Sequence, residues 1–242
     1  MAHFDSGGNK EVLVLIHGLG SRKESWLPQL PLKEHFRLIA IDLRGHGEDL
    51  HNEDITLKRF ADDIIRLLLS KGINEAIFLG HSLGGAVVQQ IMTDYPHLVK
   101  SAILANTTSV FPKFIVSHTV GEIEETLDFV TDEQFIEAVC HRGLYNKDLV
   151  GEAVQGFKMR RDTYIQSAKA TVGANFLPTI MFFRKPILII ASSHDVVTPS
   201  SNAFLTYMFN PFARVKYISK SGHLSNVDNK EEFNKTVLDF LL

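Results

Sequence analysis

Gly80-His81-Ser82-Leu83-Gly84 sets a serine between two glycines in the pattern G-x-S-x-G. A serine hydroxyl is a weak nucleophile until a base takes its proton. The pattern therefore matters only if the chain presents the serine and brings a base to it. Ala76–Leu79 reads as a strand, and Ser82 opens a helix that runs to Tyr95 and is stopped by Pro96. A sharp strand-to-helix turn forces the serine into a strained backbone conformation, and the flanking glycines let the chain pass. The hydroxyl then projects above the sheet edge with the positive helix end beneath it. On such a turn the partners follow in the order serine, acid, histidine. Two histidines lie far downstream, His194 and His223. Asp195 comes just after the apolar run Ile187–Ala191, at the strand end where sites gather. His194 directly precedes Asp195 and cannot easily turn onto it. His223, in Ser221-Gly222-His223, is then the base, and Asp195 the acid that holds its imidazole. Asp228 is the competing acid. The chemistry predicted is attack on a carbonyl carbon through an acyl-enzyme.

His17-Gly18-Leu19-Gly20 follows another apolar run. Its glycines let the backbone approach a ligand, and the amides of Leu19 and Leu83 are the candidate donors to a developing oxyanion. His17 and His46 read as loop scaffolding. Asn106 cannot be an acid. Cys140 sits in an apolar stretch, where a thiol packs as a small hydrophobe. Lys158-Met159-Arg160-Arg161-Asp162 reads as a solvated helix face. No Cys/His cluster or H-E-x-x-H points to a metal, and no G-x-x-x-x-G-K-[ST] to a phosphate. No cofactor is expected.

The elements that must position these groups are short apolar runs separated by amphipathic stretches. Strands are expected at Val12–Ile16, Arg37–Ile41, Ala76–Leu79, Ser101–Leu104, Ile187–Ala191 and Arg214–Ile218. The runs are continuous, as in parallel strands covered on both faces. Helices are expected at 56–69, 82–95, 201–208 and 230–242. The alternation predicts an α/β protein with a mostly parallel, doubly wound sheet. Residues 107–184 break the rhythm, with helical patterns at 122–130, 132–139, 148–160 and 164–170 but no clear strand. Eight of the 17 phenylalanines fall there. This segment is expected to fold over Ser82 as a cap, with Phe111, Phe114, Phe129, Phe135 and Phe157 lining the pocket.

The chain has 242 residues, a net charge of −3 and 22% charged residues. There is no basic excess to neutralise phosphates, so nucleic acid is not an expected partner. No apolar run approaches the roughly 18–20 residues that span a bilayer, so neither is a membrane. A single cysteine makes no internal disulfide, and nothing calls for an oxidising compartment. The expected location is the cytoplasm, and the expected partner a small-molecule ester.

In combination, HGLG at 17–20, DLRGHG at 42–47, GHSLGG at 80–85, PILIIASSHD at 186–195, VTP at 197–199 and SGH at 221–223 resemble the α/β-hydrolase superfamily, in its capped esterase, lipase and lactonase branch. The resemblance implies an α/β-hydrolase core at 1–106 and 185–242 with a helical cap at 107–184. It implies Ser82 as nucleophile, Asp195 as acid, His223 as base, and Leu19 and Leu83 as oxyanion donors. It departs at Ser192, where many relatives have glycine, and at Asp49, where a serine is common. About ten residues precede the first strand, fewer than the usual leading hairpin needs. Relatives that open epoxides or displace halide carry aspartate at the position of Ser82. The expected activity is hydrolysis of small to medium carboxylic esters. The alternatives are a ligand-binding signalling protein on the same fold, or a lactonase, carbon–carbon hydrolase or perhydrolase on the same triad.

Overall fold

A computed structural model describes residues 1–242. Seven strands form one sheet in the order β1-β3-β2-β4-β5-β6-β7. They are β1 (His3–Asp5), β2 (Val12–Ile16), β3 (Arg37–Ile41), β4 (Ala76–His81), β5 (Val99–Ala105), β6 (Ile187–Ser192) and β7 (Arg214–Ile218). All pair in parallel except β1, which runs antiparallel to β3. The eleven residues before β2 thus supply a single edge strand. Three residues carry too little pattern to be read from sequence.

The continuous apolar runs are explained by burial on both faces. Every residue of β2, β4 and β6 is buried. Val12, Val14 and Ile16 face a layer built by α1 (Leu57–Ser70) and α2 (Leu83–Asp94). Leu13 and Leu15 face the other layer, with Trp26, Phe36, Phe233 and Val237. Thr56 caps α1, its hydroxyl accepting from the Arg59 amide at 3.1 Å. The inward residues Leu57, Phe60, Ala61, Ile64, Ile65 and Leu68 then lie on one helical face. Strand β7 differs from expectation: it lies at the sheet edge and only Ile218 is fully buried.

Between β5 and β6 lie α3 (Lys113–Leu127), α4 (Asp132–Gly143), α5 (Val150–Val154), α6 (Arg161–Lys169) and α7 (Leu177–Phe182). Helix α3 begins nine residues before the expected start at 122. The helix expected over 148–160 ends at Val154 instead, because Gly156 and Phe157 pair with the chain near Leu19. Arg22 donates its amide to the Gly156 carbonyl at 2.9 Å, and Lys158 donates to Gly20 at 3.2 Å. Helix α7, absent from the sequence reading, starts on Leu177-Pro178. Phe176, Ile180 and Phe183 join the larger core, so the return of this segment packs with the α2 layer ahead of the boundary at 184. After β6 come α8 (Ser200–Phe209), α9 (Ser225–Asp228) and α10 (Lys230–Leu241). No helix is long and apolar enough to cross a membrane.

Candidate active site

Ser82 occupies the turn between β4 and α2 with φ 53° and ψ −116°, a left-handed conformation rare for a side-chain-bearing residue. Such strain costs on the order of 1–3 kcal/mol and persists only where surroundings over-determine it. Here the Ser82 amide donates to Ala105 at 2.9 Å, and its carbonyl accepts from the Gly85 amide at 2.9 Å and the Thr107 hydroxyl at 2.8 Å. The glycines are required by space. A Cβ on Gly80 would sit 2.2 Å from the Gly84 carbonyl oxygen, and one on Gly84 would sit 2.1 Å from that of Ile16.

The strand ends bring the predicted partners together. The Ser82 Oγ lies 2.9 Å from His223 Nε2, and His223 Nδ1 lies 3.0 Å from Asp195 Oδ2 and 3.2 Å from Oδ1. An ionised carboxylate can only accept, so Nδ1 carries the proton and Nε2 is free to accept the serine's. The Asp195 side chain is fully buried. Burial alone would raise its pKa. The hydrogen bond and charge of His223, with donation from the Thr198 hydroxyl and amide, outweigh burial and hold it well below the usual carboxylate range. Thr198 donates its hydroxyl to Oδ2 at 2.7 Å, while the Val197 and Thr198 amides each donate to Oδ1 at 2.8 Å.

Asp228, the competing acid, faces elsewhere. Its carboxylate accepts from the amides of Gly222 at 2.8 Å, Tyr145 at 2.8 Å and Asn146 at 2.9 Å. It joins the loop of His223 to the segment after α4. His81 buttresses the same loop from below, donating Nε2–H to the His223 carbonyl at 2.8 Å. Burial, with the nearby His223, pushes the His81 pKa down to about 3, so it stays neutral.

The oxyanion candidates are also placed. The Leu83 amide is the first of α2, where helical N–H groups have no intrahelical acceptor. Neither it nor the Leu19 amide donates to a carbonyl in the surrounding turns. The loop of Leu19 is pinned by His17, whose ring donates Nδ1–H to the Gly18 carbonyl at 2.7 Å and accepts at Nε2 from the Leu43 amide at 3.1 Å. Its fixed tautomer and burial agree with a pKa lowered to about 4.

Residues 11–230 match the family described as the alpha/beta hydrolase fold. The chain belongs to this family. Among its relatives is a candidate carbamate hydrolase of Shigella flexneri serotype 5b, 27% identical, with 95% of this chain and 91% of that protein aligned. Another is the dihydrolipoyllysine-residue acetyltransferase component of an acetoin-cleaving system from Cupriavidus necator, 25% identical over 94% of this chain. The chain spans 63% of that protein's length. Among solved structures, a hydrolase from Pseudomonas aeruginosa PA01 aligns at a TM-score of 0.87 and 27% identity, covering 99% of this chain and 93% of that one. The enol-lactonase from Burkholderia xenovorans LB400 aligns at 0.88 and 22% identity over 99% and 95%, a likeness of fold.

In this α/β-hydrolase chain a cavity of about 470 Å³ opens over Ser82. Its walls include Leu19, Ile123, Phe135, Val139, Phe157 and Tyr164. Of the five phenylalanines expected there, only Phe135 and Phe157 line it. Phe111 packs edge-on against Phe176 beside the core, whereas Phe114 and Phe129 are exposed at 81% and 87%. Phenylalanine count alone could not tell which helical face turns inward. The basic run resolves in part differently: Lys158 and Asp162 are exposed, whereas Arg160 and Arg161 are half-buried and bonded. Arg160 donates to the carbonyls of Gly45, Gly47 and Asp49, and Arg161 pairs with Asp132 and the carbonyls of Leu127 and Val130. Cys140 is buried with Leu144, Ala153 and Leu224, and burial pushes its thiol up to about 12. Two residues that hold Asp195 carry no signal of their own in the sequence: Thr198 stands within VTP, and Asn106, which cannot be an acid, donates to Asp195 at 2.9 Å.

Proposed function

We propose that this chain is a serine hydrolase that cleaves small to medium carboxylic esters through an acyl-enzyme. The observation carrying this reading is the unbroken line from Ser82 Oγ through His223 to the ionised Asp195, at 2.9 and 3.0 Å. His223 Nε2 takes the hydroxyl proton as Oγ attacks the carbonyl carbon. The negative charge that develops on the carbonyl oxygen is met by the Leu19 and Leu83 amides. The imidazolium beside Asp195 is stabilised by the carboxylate and hands its proton to the leaving alkoxide. Water then enters, His223 accepts its proton, and the ester of Ser82 is hydrolysed. Residues 107–184 act as the cap, supplying Phe135 and Phe157 to the pocket and excluding bulk water. A cavity of about 470 Å³ suits short and medium acyl chains.

Carbamates and lactones present the same carbonyl to Ser82, and the relatives above make them natural members of a substrate panel. The test is a fluorophosphonate probe and a set of p-nitrophenyl esters, an aryl carbamate and a lactone. The probe adds once per chain, at Ser82, and Ser82→Ala loses at least about three orders of magnitude in rate while folding normally. Labelling elsewhere, or a folded Ser82→Ala enzyme that keeps its activity, overturns the assignment. Labelling without turnover of any panel member favours the ligand-binding alternative.

A further inference from the structure

The side chain of Asn106 spans the acid and the segment that carries the base. Asn106 follows β5 directly, with φ 47°, and its amide donates to the Ile190 carbonyl of β6 at 2.9 Å. It is 2% exposed. Its Nδ2 donates to Asp195 Oδ2 at 2.9 Å and to the Ser192 hydroxyl at 2.8 Å. Its Oδ1 accepts from the Ser225 hydroxyl at 2.5 Å. The orientation of the amide is decided by chemistry, since the carboxylate offers only acceptors and must face the NH2 end. Ser221 donates to Ser192 at 3.2 Å and closes the network behind it. Ser192 is the residue that stands where many relatives have glycine. Its hydroxyl gives the amide its second acceptor.

We propose that Asn106 is a positioning residue for the acid–base pair, acting through Asp195. This rests on the Ser82 reading above. Asp195 Oδ2 is shared by three donors: His223, Thr198 and Asn106. The bonds from Val197 and Thr198 come from the acid's own loop and cannot fix where that loop sits over the sheet. Asn106 does so from the end of β5, the strand next to the one that leads into Ser82. Through Ser225, two residues after His223, the same amide group ties down the chain that carries the imidazole. One planar group thereby sets the acid-to-base distance independently of the bond between them. Tight positioning of this kind matters because misplacement by about 1 Å costs on the order of a hundredfold in rate.

The informative variant is Asn106→Gly, since glycine accepts the left-handed backbone without strain and removes the amide. It is placed in a double-mutant cycle with Asp195→Asn, with kcat and KM measured for a short p-nitrophenyl ester. The concentration of competent enzyme is taken from stoichiometric phosphonate labelling of Ser82. Asn106→Gly should lower kcat about tenfold to a hundredfold with KM changed less than about threefold. In the Asp195→Asn background the same change should cost less than about threefold, because the group it acts through has lost its charge. Ser225→Ala, which removes only the anchor of the amide, should fall in the same direction by a smaller factor and serves if Asn106→Gly does not fold. An unchanged kcat per labelled site, or losses that multiply fully across the cycle, overturns the positioning role. Those outcomes leave Ser82 labelling intact, whereas failure of the hydrolase reading shows as activity that survives Ser82→Ala.

Discussion

Acidification from pH 7.5 to 5 should remove about 6 kcal/mol of unfolding free energy, and three histidines account for it. His17, His46 and His81 are 0%, 2% and 5% exposed. Burial is the largest cause in each, pushing their pKa values down to about 4, 3 and 3. In the unfolded chain each returns to about 6.5. Between pH 6.5 and 4 the unfolded chain binds protons that the folded chain does not, so stability is complete above pH 6.5 and declines as pH falls. Each histidine loses about 1.4 kcal/mol per pH unit in that window, or about 2 kcal/mol by pH 5. The sum rivals the total stability of a typical domain, about 5–15 kcal/mol. Asp42 and Asp195 work in the other range. Their pKa values are lowered in the fold, so their contribution is present above about pH 4 and disappears only below it. The assay is equilibrium urea unfolding followed by the fluorescence of Trp26, the single tryptophan, buried against Phe233. His46→Leu is the control, because the ring's one hydrogen bond is from Nδ1 to the Arg44 carbonyl at 3.1 Å while its Nε2 has no partner, and its removal leaves the line from Ser82 through His223 to Asp195 intact. That variant should lose about 4 kcal/mol instead of 6 over the same interval. A loss below about 2 kcal/mol in the parent chain, or an identical loss in His46→Leu, refutes the reasoning.

Phe135→Ala and Phe157→Ala should shift the ratio of rates between octanoate and acetate esters by about 1–3 kcal/mol each, while Phe114→Ala and Phe129→Ala, both exposed, leave it unchanged. Steady-state kinetics on the ester series checks this. Asp195→Asn should lower kcat by about three to four orders of magnitude while the fold is kept, as circular dichroism and rate measurements would show. Asp228→Asn should instead lower the melting temperature by about 5 °C, from weaker bonds to the Gly222, Tyr145 and Asn146 amides, and leave the pH profile of kcat/KM in place. A silent Asp195→Asn with a crippled Asp228→Asn would reverse the two assignments.

What was legible in the sequence is what repeats or is forced locally. Five of the six expected strands could be read because burial on both faces makes each a nearly continuous apolar run, whereas β7 lies at the edge with most of its residues exposed; the serine turn could be read because only glycine fits at 80 and 84. Ser82, Asp195 and His223 followed from their order along the chain and their places after strands. The missed features depend on partners far away in sequence. Asn106 reads as a non-acid until its bonds reach residues 192, 195 and 225, and Arg160 reads as a surface charge until it meets three carbonyls at 45, 47 and 49. The break in the helix expected over 148–160 has the same origin. Backbone pairing of Gly156 and Lys158 with Arg22 and Gly20 outweighs local helical preference.

That pairing also decides how the segment over Ser82 is held. Lys158 donates to Gly20, one residue beyond the Leu19 amide, and Arg160 clamps the loop at 45–49. The same loop region meets His17 through the Leu43 amide, and His17 in turn holds Gly18. On the other side, Gly143 at the end of α4 accepts from the Leu224 amide at 3.1 Å, and Asp228 binds both Gly222 and Tyr145. The segment is therefore fastened on one side to the loop of Leu19 and on the other to the loop of His223. A change of wall residue that leaves these fastenings alone can alter substrate fit without disturbing the reacting groups. A change at Arg160 loosens the wall and the loop at 45–49 together, and one at Asp228 loosens the wall and the loop before His223, while neither removes a group of the line from Ser82 through His223 to Asp195.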